Sequence, residues 1–388
     1  MKLEGCRIHL AGSASTDCDE SKLTYIHQLV RDLTATLMSE GACFILQFGR
    51  EPRLRDREDG PSITFDWTIA EVLAEGIRSR KYASVVHGKK SILSIVTFKT
   101  DGQIPVERRA LFEELKESGA VQLEFMEAGW TGGAVRRQMM AEAGDVFICI
   151  SGGEGVEHLA GEYSSRGKPI LPLDIQLGSS GEDGSGGAAR LFDRALTKPG
   201  DFFRCKDKSE AGLLLDLTKT KQGEIEPEKV SGAIRKLIEK LENPRVFFVR
   251  LLNSSLEEFP HVDNFFRNAV SPFVEKIGFE PVQMGMGKNN FAWMNEAIFD
   301  SLHYASAILV DLTTLRPNCF MELGYAFGNK QRVIITAREG TNLPFDPYAL
   351  ETHFWTEKDQ PNIQIEKLRV HWERNIDMPR LVKPKIAR

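Results

Sequence analysis

Two acidic residues in the C-terminal part of the sequence are placed where a carboxylate could take part in catalysis. Asp311 ends the apolar run "AILVD", which predicts a buried strand, and Glu322 lies in "RPNCFMELGYAFG", which predicts the helix that follows. We expect Asn318 to cap this helix, which puts Glu322 in its first turn. Because ligands bind beyond the carboxyl ends of parallel strands, both carboxylates are predicted to face one crevice. An acid in a first turn is also favoured by the helix dipole, so position alone leaves a structural role open.

The chemistry that suits this placement is the cleavage of an N-glycosidic bond. Breaking the bond between a ribose and a base passes through an oxocarbenium-like state, which a fixed carboxylate stabilises by its charge or captures as a covalent glycosyl-enzyme. Loops 250–255 ("RLLNSS") and 285–293 ("GMGKNNFAW") are predicted to close the crevice, with cations for phosphate and aromatic rings for the base. Plain core packing is an equally good interpretation of the aromatic residues. The candidate substrate-binding residues are Arg250, Asn253, Ser254, Lys288, Trp293, Arg316 and Asn318.

Two glycine-rich turns in the first half could hold a phosphate group. The stretch "SGGEGVEHLAGEY" (151–163) follows the apolar run "DVFICI", and "LAGSAS" (10–15) ends the first strand-like run. A glycine turn between a parallel strand and a helix leaves backbone N–H groups free at a helix N-terminus, where they can bind phosphate. The candidate ligand-binding residues are Gly12, Ser13, Gly152, Gly153, Glu154 and Gly155.

Short β-rich runs alternate with amphipathic segments in both halves of the chain. This alternation predicts parallel strands joined by helices, and hence an α/β protein with two Rossmann-like, doubly wound parallel-sheet domains. Strands are predicted at 7–12, 42–49, 91–98, 120–127, 145–151, 168–174, 245–252, 279–285, 306–313, 332–337 and 352–355. Helices are predicted at 21–40, 66–79, 105–118, 132–144, 258–277 and 291–304, from residue 319 onward, and at 364–376.

Two segments interrupt the alternation and indicate the domain boundary. The Gly/Ser-rich "LGSSGEDGSGGAAR" (177–190) is predicted to be a mobile loop, and 219–244 combines charge, a proline and one amphipathic helix. We therefore divide the chain into a domain at 1–218, a linker helix at 219–244 and a domain at 245–388. Neither half shows the repeats of about 20–50 residues that mark solenoid proteins, so the two domains are expected to differ.

Composition limits the classes of protein to which the chain can belong. With 388 residues, 41% of them hydrophobic and 27% charged, it is expected to be a soluble globular protein. The net charge of −5 provides no basic surface for nucleic acid, and no apolar run is long enough to span a membrane or to form a signal sequence. The six cysteines are scattered without a CxxC pair, so we expect reduced thiols, a cytoplasmic location and neither a metal site nor a cofactor.

The second half resembles the nucleoside 2-deoxyribosyltransferase-like and TIR-like nucleotide-processing proteins. The resemblance rests on "ASAILVDLTTLRPNCFMELGYAFGNKQRVII" and "LPFD" and covers residues 245–356. In that family the glutamate of the ELGYA motif attacks or stabilises the anomeric carbon, which implies Glu322 as the nucleophile and Asp311 as a residue that binds ribose hydroxyls or orients the site. Deoxyribosyltransferases place further acids just ahead of this glutamate, where this chain has Arg316 and Asn318. The arginine favours a phosphorylated substrate, such as a nucleotide or NAD, and hydrolysis rather than base exchange.

The first half resembles the SLOG superfamily, which includes LOG-type phosphoribohydrolases and STALD ligand-sensing domains. The shared stretches are "HLAGSAS", "GDVFICISGGEGVEHLAGEY" and "GKPILPL", within residues 5–175. In the LOG-type enzymes the glycine turn reads PGGxGTxxE, and its acid takes part in catalysis. Here that position holds Leu159, with Glu157 and Glu162 as imperfect substitutes. The resemblance implies that this half binds a nucleotide-derived signal and has lost catalysis.

Together, the two resemblances imply a sensor joined to an effector. The expected protein binds a nucleotide-derived signal through its first domain, forms a homo-oligomer, and hydrolyses an N-glycosidic bond in NAD or a related nucleotide, as in bacterial antiphage effectors. Two alternatives remain open. A constitutive nucleoside or nucleotide salvage enzyme, either a deoxyribosyltransferase or a nucleotide N-ribohydrolase, would turn over without an activating ligand. A non-enzymatic nucleotide-binding regulator would pair Glu322 internally with a basic residue.

Overall fold

The computed structural model describes residues 3–57, 59–127, 132–175, 177–178, 187–203, 226–241, 243–284, 294–346 and 348–376. The described chain divides into two compact units: the first holds the described residues up to Leu241 except residues 87–89, and the second holds residues 87–89 together with the described residues from Asn243 onward. Each unit has its own sheet and its own buried apolar core.

A parallel sheet forms the centre of the first unit. Its strands are β1 Arg7–Ser13, β2 Cys43–Ile45, β5 Ile92–Val96, β6 Val121–Phe125, β7 Val146–Ser151 and β8 Ile170–Leu173, and a separate two-stranded sheet holds β3 Val85–Val86 and β4 Lys89–Lys90. Within the described residues, the six strands of the main sheet lie in the order β6-β5-β2-β1-β7-β8. The chain therefore reverses its direction across the sheet at β1, and the gap between β1 and β7 is the switch point where ligands bind in such sheets.

Helices follow most strands of the first unit. They are α1 Glu20–Ser39, α2 Asp66–Arg78, α3 Val106–Glu117, α4 Gly132–Ala143, α5 Glu154–Ser165, α6 Gly187–Thr197, α7 Pro199–Phe202 and α8 Pro227–Lys240. The helix α1 shows how sequence sets an element, because Asp19 caps it by accepting the backbone N–H of Lys22 at 3.0 Å. Its leucine-rich face is fully buried in the core, so the helix is held by packing as well as by its cap.

The segment predicted as a linker contributes to the first unit instead. Its helix α8 packs along α1 and buries Val230, Ile234 and Leu237 in the apolar core of that unit. The amphipathic pattern of the segment was recognised, but the surface that would cover its apolar face could not be assigned from the sequence. The described part of this segment is therefore part of a domain and not a free connector.

The second unit is built on a smaller parallel sheet. Its strands are β9 Arg245–Val249, β10 Glu280–Gln283, β11 Ala307–Asp311, β12 Val333–Arg338 and β13 Thr352–Trp355. The five strands of the described chain lie in the order β10-β9-β11-β12-β13, so the switch point is the gap between β9 and β11. The helices are α9 Phe259–Phe265, α10 Ser271–Lys276, α11 Met294–Tyr304, α12 Pro317–Gly328 and α13 Pro361–Asn375. A π-helical turn, Phe266–Val270, joins α9 to α10.

Alternate side chains of β9 belong to two separate apolar cores. Val246 and Phe248 belong to the cluster under α9, α10 and α13, while Phe247 and Val249 belong to the cluster under α12. A strand buries alternate residues on opposite faces, so helices cover both faces of this sheet. Helices on both faces of parallel sheets in both units confirm the predicted α/β class with two Rossmann-like domains.

The predicted strands and most of the predicted helices are present, with one clear correction. Residues 187–190, predicted as part of a mobile loop, form the first turn of α6, and residues 179–186 lie outside the described part of the chain. The helix buries Leu191, Phe192 and Ala195, whereas the glycines and serines that precede it had extended the predicted loop too far. Tertiary burial outweighed the low helix propensity of this stretch.

Two further findings bear on the predictions from composition. No helix in the described part of the chain is long and apolar enough to cross a membrane. The five cysteines within the described ranges are all free thiols, and three of them, Cys43, Cys149 and Cys319, are buried. Cys205 lies outside those ranges.

Candidate functional site

Asp311 lies at the carboxyl end of β11, next to the switch point of the second sheet. Its side chain is only 2% exposed. The Oδ2 atom accepts hydrogen bonds from the Thr336 hydroxyl and the Trp355 indole N–H, each at 2.9 Å, and Oδ1 accepts the backbone N–H of Thr313 at 3.2 Å. Burial raises the pKa of Asp311, and these three donors oppose the rise. An acid so enclosed is better placed to hold the edge of the sheet than to touch a substrate.

Glu322 projects from α12, the helix that follows β11. The helix begins at Pro317, whose fixed φ suits the first helical position, and Arg316 takes the N-cap position without a capping hydrogen bond from its side chain. The prediction that Asn318 caps the helix is therefore wrong, because Asn318 lies inside the first turn. Glu322 consequently lies in the second turn and not in the first.

The carboxylate of Glu322 is half-buried and has no partner among the described residues. Within the described ranges of the chain, no side chain or backbone group forms a hydrogen bond or an ion pair with it. Burial raises the pKa of Glu322, and the positive charge of Arg316 opposes that rise. Burial also raises the pKa of the Cys319 thiol to about 12, with contributions from the charges of Glu322 and Asp311. The structure thus brings Asp311, Arg316, Cys319 and Glu322 into one electrostatic neighbourhood.

Arg250 follows β9 on the other side of the switch point, but its side chain is already engaged. The guanidinium donates to Gln283 Oε1 and to Asp263 Oδ1, each at 2.9 Å, and lies 4.9 Å from the centroid of the Phe266 ring. Its Nη1 atom is buried and has no hydrogen-bond partner in the part of the chain that the structure describes. Arg250 was predicted to meet phosphate, and its Nε and Nη2 atoms instead hold β9, β10 and α9 together.

The remaining substrate-binding candidates fall into two groups. Asn253 and Ser254 are exposed in the loop after β9, where Asn253 Oδ1 accepts the backbone N–H of Ser255 at 3.1 Å. Lys288 and Trp293 lie outside the described residues. That loop 285–293 closes over the crevice therefore remains a prediction, because this loop lies outside the described residues.

The two glycine turns of the first unit meet at its switch point. Strands β1 and β7 are paired so that Gly12 faces Ile150 and Ser13 faces Ser151. A Cβ atom on Gly12 would collide with the carbonyl oxygen of Ile150, so only glycine allows this close approach. The expectation that both turns lie on one edge of the sheet is confirmed.

The backbone of the second turn differs from the predicted row of free N–H groups. Gly152 has a φ of +76° and donates its N–H to the carbonyls of Ser13 and Gly178, at 3.0 and 3.2 Å. Its N–H is therefore used internally and cannot bind phosphate in this conformation. Gly153 takes the N-cap position of α5, and its carbonyl accepts the N–H of Val156 at 3.0 Å. Glu154 and Gly155 are exposed in the first turn of that helix.

One arginine outside the predicted site residues lies close to this turn. Arg137 of α4 brings its Nη1 to 3.8 Å from the place that a Cβ atom on Gly155 would occupy, and its Nε donates to His158 Nδ1 at 3.1 Å. Arg136, the residue before it, has a buried Nε that no group in the described ranges partners. Burial and the positive charge of Arg137 both lower the pKa of Arg136.

This arginine pair has no acidic partner within the described part of the chain. Half-buried cations are normally paired, so the Arg137 guanidinium beside the N-terminus of α5, with the charge of Arg136 close to it, indicates a place for an anion. The signal in the sequence was the doublet in "GGAVRRQMM", directly ahead of strand β7, which had been interpreted only as part of an amphipathic helix.

The two acids that could replace the missing LOG-type glutamate both form ion pairs with arginines. Leu159 is only 5% exposed and belongs to the core. Glu157 forms an ion pair with Arg190 at 2.5 Å, and Glu162 forms one with Arg166 at 2.6 Å. Helix α5 therefore presents no unpaired carboxylate at either substitute position.

Comparisons with known proteins match the first unit to a described family. The family described as ATP nucleosidase Cap17-like, N-terminal, matches residues 3–239. Two curated relatives, each named ATP nucleosidase Cap17, one from Escherichia coli strain KTE188 and one from Escherichia coli, are 26% identical to this chain over 197 residues. The match covers 50% of this chain and 37% of each relative, so this chain spans well under two thirds of their length.

A solved structure also aligns with the chain, although the likeness is weak. The C-terminal domain of glucosamine-fructose-6-phosphate aminotransferase from Francisella tularensis aligns over 97% of this chain and 87% of its own, with 11% identity and a TM-score of 0.18. A score this low supports no conclusion about fold or function.

Proposed function

The chain belongs to the ATP nucleosidase Cap17-like family, and we propose that it hydrolyses the N-glycosidic bond of a nucleotide. The two curated relatives are named for nucleosidase activity on ATP, which makes ATP the first substrate to test, with NAD as the second. The family match ends at residue 239, before the second unit begins. The position of the reaction therefore has to be argued from geometry.

The observation that supports a reaction in the second unit is the state of Glu322. Among the described residues it has neither a hydrogen bond nor an ion pair, although it is half-buried and burial raises its pKa. A carboxylate that is left unpaired in such a place costs stability, and functional sites are where proteins keep such groups. A regulator without activity was expected to pair Glu322 with a basic residue, so the unpaired carboxylate favours the enzyme.

The proposed reaction needs only water and Glu322. As the bond between C1′ and the base nitrogen breaks, the base takes the bonding electron pair, and positive charge develops at C1′. The Glu322 carboxylate stabilises this charge or forms an ester with C1′. Water then adds its oxygen to C1′, one of its protons goes to the departed base, and Glu322 is regenerated. Arg316 lies close enough to affect the pKa of Glu322 and is a candidate for the substrate phosphate.

The first unit is proposed to bind a nucleotide-derived signal. Three features of its switch point support this: the close pairing of Gly12 with Ile150, the exposed first turn of α5, and Arg137 beside that turn, which has no acidic partner among the described residues. The occupied acids on α5 favour binding without hydrolysis. In this proposal the ligand promotes an active homo-oligomer, and the setting is bacterial antiphage defence, as the sequence resemblance implied.

The decisive experiment is base release by the purified full-length protein. ATP, NAD, adenosine and 2′-deoxyadenosine are each incubated with the protein, with and without a panel of cyclic nucleotides, and free base is measured by chromatography. We expect release from a nucleotide that Glu322→Gln abolishes. Release that persists in Glu322→Gln would place the reaction in another site, and strong release from 2′-deoxyadenosine without any cyclic nucleotide would support the salvage enzyme.

Coupling between the units is tested by two variants. Gly153→Asp places bulk and negative charge at the N-cap of α5, so it should abolish ligand binding and the stimulation of base release. Residues 245–388 alone should be inactive or unresponsive to ligand, because the signal has no site. Full, unregulated activity in either variant would show that the first unit does not control the second.

A further inference from the structure

Asp66, a residue outside the sites described above, begins α2 at the carboxyl end of β2. Its Oδ1 atom accepts the backbone N–H of Gln47 at 2.7 Å, and Gln47 lies two residues beyond the end of that strand. The side chain of Asp66 is half-buried, and Gln47 is exposed. The carboxylate therefore lies at the edge of the sheet where ligands of Rossmann-like domains bind.

The chain leading into α2 also runs along the end of β1. Thr64 forms an antiparallel bridge with Ser13, and the N–H of Ala14 donates to the carbonyl of Ile63 at 2.8 Å. Asp66 follows Thr64 by two residues, so it lies by the gap between β1 and β2. The glycine turns lie by the next gap, between β1 and β7. Adjacent strands are about 4.8 Å apart, so the two places are separated by on the order of one strand spacing.

The chemistry of Asp66 suits an acceptor for hydroxyl groups. Burial raises the pKa of Asp66 to about 6, against the opposing effect of the backbone N–H groups of Gln47 and of Asp66 itself. The group is therefore mainly ionised near neutral pH, and an ionised carboxylate only accepts hydrogen bonds. Within the described ranges, no side chain donates to either of its oxygens. In dinucleotide-binding folds an acid at the carboxyl end of the second strand holds a ribose diol, and Asp66 lies at the same end of β2.

We propose that Asp66 recognises the ribose of the ligand of the first unit, so that this unit selects ribonucleotides over their 2′-deoxy counterparts. The inference rests on the proposed function, because it takes the switch point of the first unit to hold a nucleotide. It identifies the ligand as a ribonucleotide and assigns Asp66 as the residue that binds the ribose.

The test measures binding of AMP, ATP, 2′-deoxy-AMP and 2′-deoxy-ATP to the full-length protein by calorimetry. Glu322→Gln serves as the background, so that no nucleotide is consumed in the second unit. The heat that disappears in Glu322→Gln/Gly153→Asp defines binding to the first unit. Asp66→Asn is the informative variant, because its amide oxygen can still accept the Gln47 N–H while the second acceptor is lost. Asp201→Asn, an exposed acid on α7, is the matched control.

A hydrogen bond to a charged acceptor sets the expected size of the effect. The background protein should bind each ribonucleotide on the order of 10- to 100-fold more tightly than its 2′-deoxy counterpart. Asp66→Asn should bind the ribonucleotide and its 2′-deoxy counterpart with similar affinity, which is weaker than the affinity of the background for the ribonucleotide. Asp201→Asn should behave like the background.

Two results would overturn the inference while leaving the proposed function intact: equal affinity of the background for both sugars, and discrimination that survives in Asp66→Asn. If Asp66→Asn lost all binding, its thermal midpoint would separate a folding defect from a role beyond the sugar. Retained stability with no residual affinity for any of the four nucleotides would also contradict the proposed role. No binding by the background itself would overturn both the inference and the proposed sensor, while base release through Glu322 would still be tested separately.

Discussion

The indole N–H of Trp355 donates a 2.9 Å hydrogen bond to Asp311 Oδ2, joining the end of β13 to the end of β11. These strands are not neighbours, because β12 lies between them. Thr336 of β12 donates to the same oxygen, also at 2.9 Å. One buried carboxylate thus ties three strands together at their carboxyl ends, just ahead of α12, the helix that carries Glu322.

Asp311→Asn is expected to destabilise the protein. The amide has one acceptor oxygen instead of two, so its NH₂ group must face either the indole or the backbone N–H of Thr313, and one buried donor is left without a partner. The free energy of unfolding should fall by about 1–3 kcal/mol, measured with chemical denaturant. Thr336→Val removes a single donor and should cost less, about 1 kcal/mol. An Asp311→Asn protein with normal stability and no activity would instead identify Asp311 as a catalytic residue.

Glu322→Gln should lose activity and gain stability. Base release should fall by at least about 100-fold, because the charge that stabilises the transition state is gone. In the wild-type protein, release should rise with pH as Glu322 ionises, and this rise should lie above the pH range of an ordinary glutamate because burial raises the pKa.

The gain in stability has a definite dependence on pH. A carboxyl group whose folded pKa is raised stabilises the fold below its unfolded pKa, and this contribution is lost as pH rises through the folded pKa. Glu322→Gln should therefore raise the thermal midpoint at about pH 8 and change it little at about pH 4. Glu275→Gln, an exposed glutamate on α10, serves as the control and should change neither activity nor stability. A Glu322→Gln protein that is less stable at about pH 8 would indicate a partner for the carboxylate.

Replacing Arg137 by methionine should weaken anion binding in the first unit. Loss of one charge-assisted hydrogen bond should raise the dissociation constant of inorganic pyrophosphate or ATP by on the order of 10- to 100-fold. Stability without ligand should stay the same or rise, because the repulsion between Arg136 and Arg137 is removed. Arg109→Met removes an exposed arginine that is paired with Asp101, and should leave the affinity unchanged. Unaltered binding of pyrophosphate by Arg137→Met would exclude this position from the anion site.

Gly12→Ala should disturb the switch point of the first unit. The added methyl group meets the carbonyl of Ile150, so the pairing of β1 with β7 must shift. We expect a loss of about 1–3 kcal/mol in unfolding free energy together with weaker ligand binding. Gly161→Ala is the matched control: its Cβ has no atom within 4 Å, and alanine in a helix should be neutral or stabilising by about 0.5–1 kcal/mol. Equal stability of the two variants would mean that the strands can separate at Gly12 without cost.

Periodicity predicted the elements well and the site only in part. Runs such as "DVFICIS" and "SAILVDLT" can only be buried strands in a protein of this kind, so β7 and β11 were expected within a residue or two of their observed bounds. The position of Glu322 beyond β11 followed from the same argument. The predicted cap at Asn318 was wrong. Pro317 takes the first helical position, so α12 begins one residue before Asn318.

Residues that act through tertiary contacts escaped prediction. Arg250 was expected to face a phosphate, yet it pairs with Asp263, thirteen positions later, and no local pattern reveals such a partner. In the sequence, Arg136 and Arg137 have the pattern of a solvent-exposed helix face. Only the packing of α5 against α4 brings another element next to them. Asp66 has no motif at all, and only its bond to Gln47 places it by β2.

The boundary between Leu241 and Asn243 is a place where genetic recombination could exchange one unit of the chain. The cluster that fills the first unit ends with Leu241, and the two clusters of the second begin with Val246 and Phe247. A genetic crossover at this point would sever neither a described strand nor a described core cluster. The family match stops at residue 239, almost at the same place. Recombination there would leave the main sheet and the core cluster of the first unit whole, so a different second unit could be joined to them over evolutionary time.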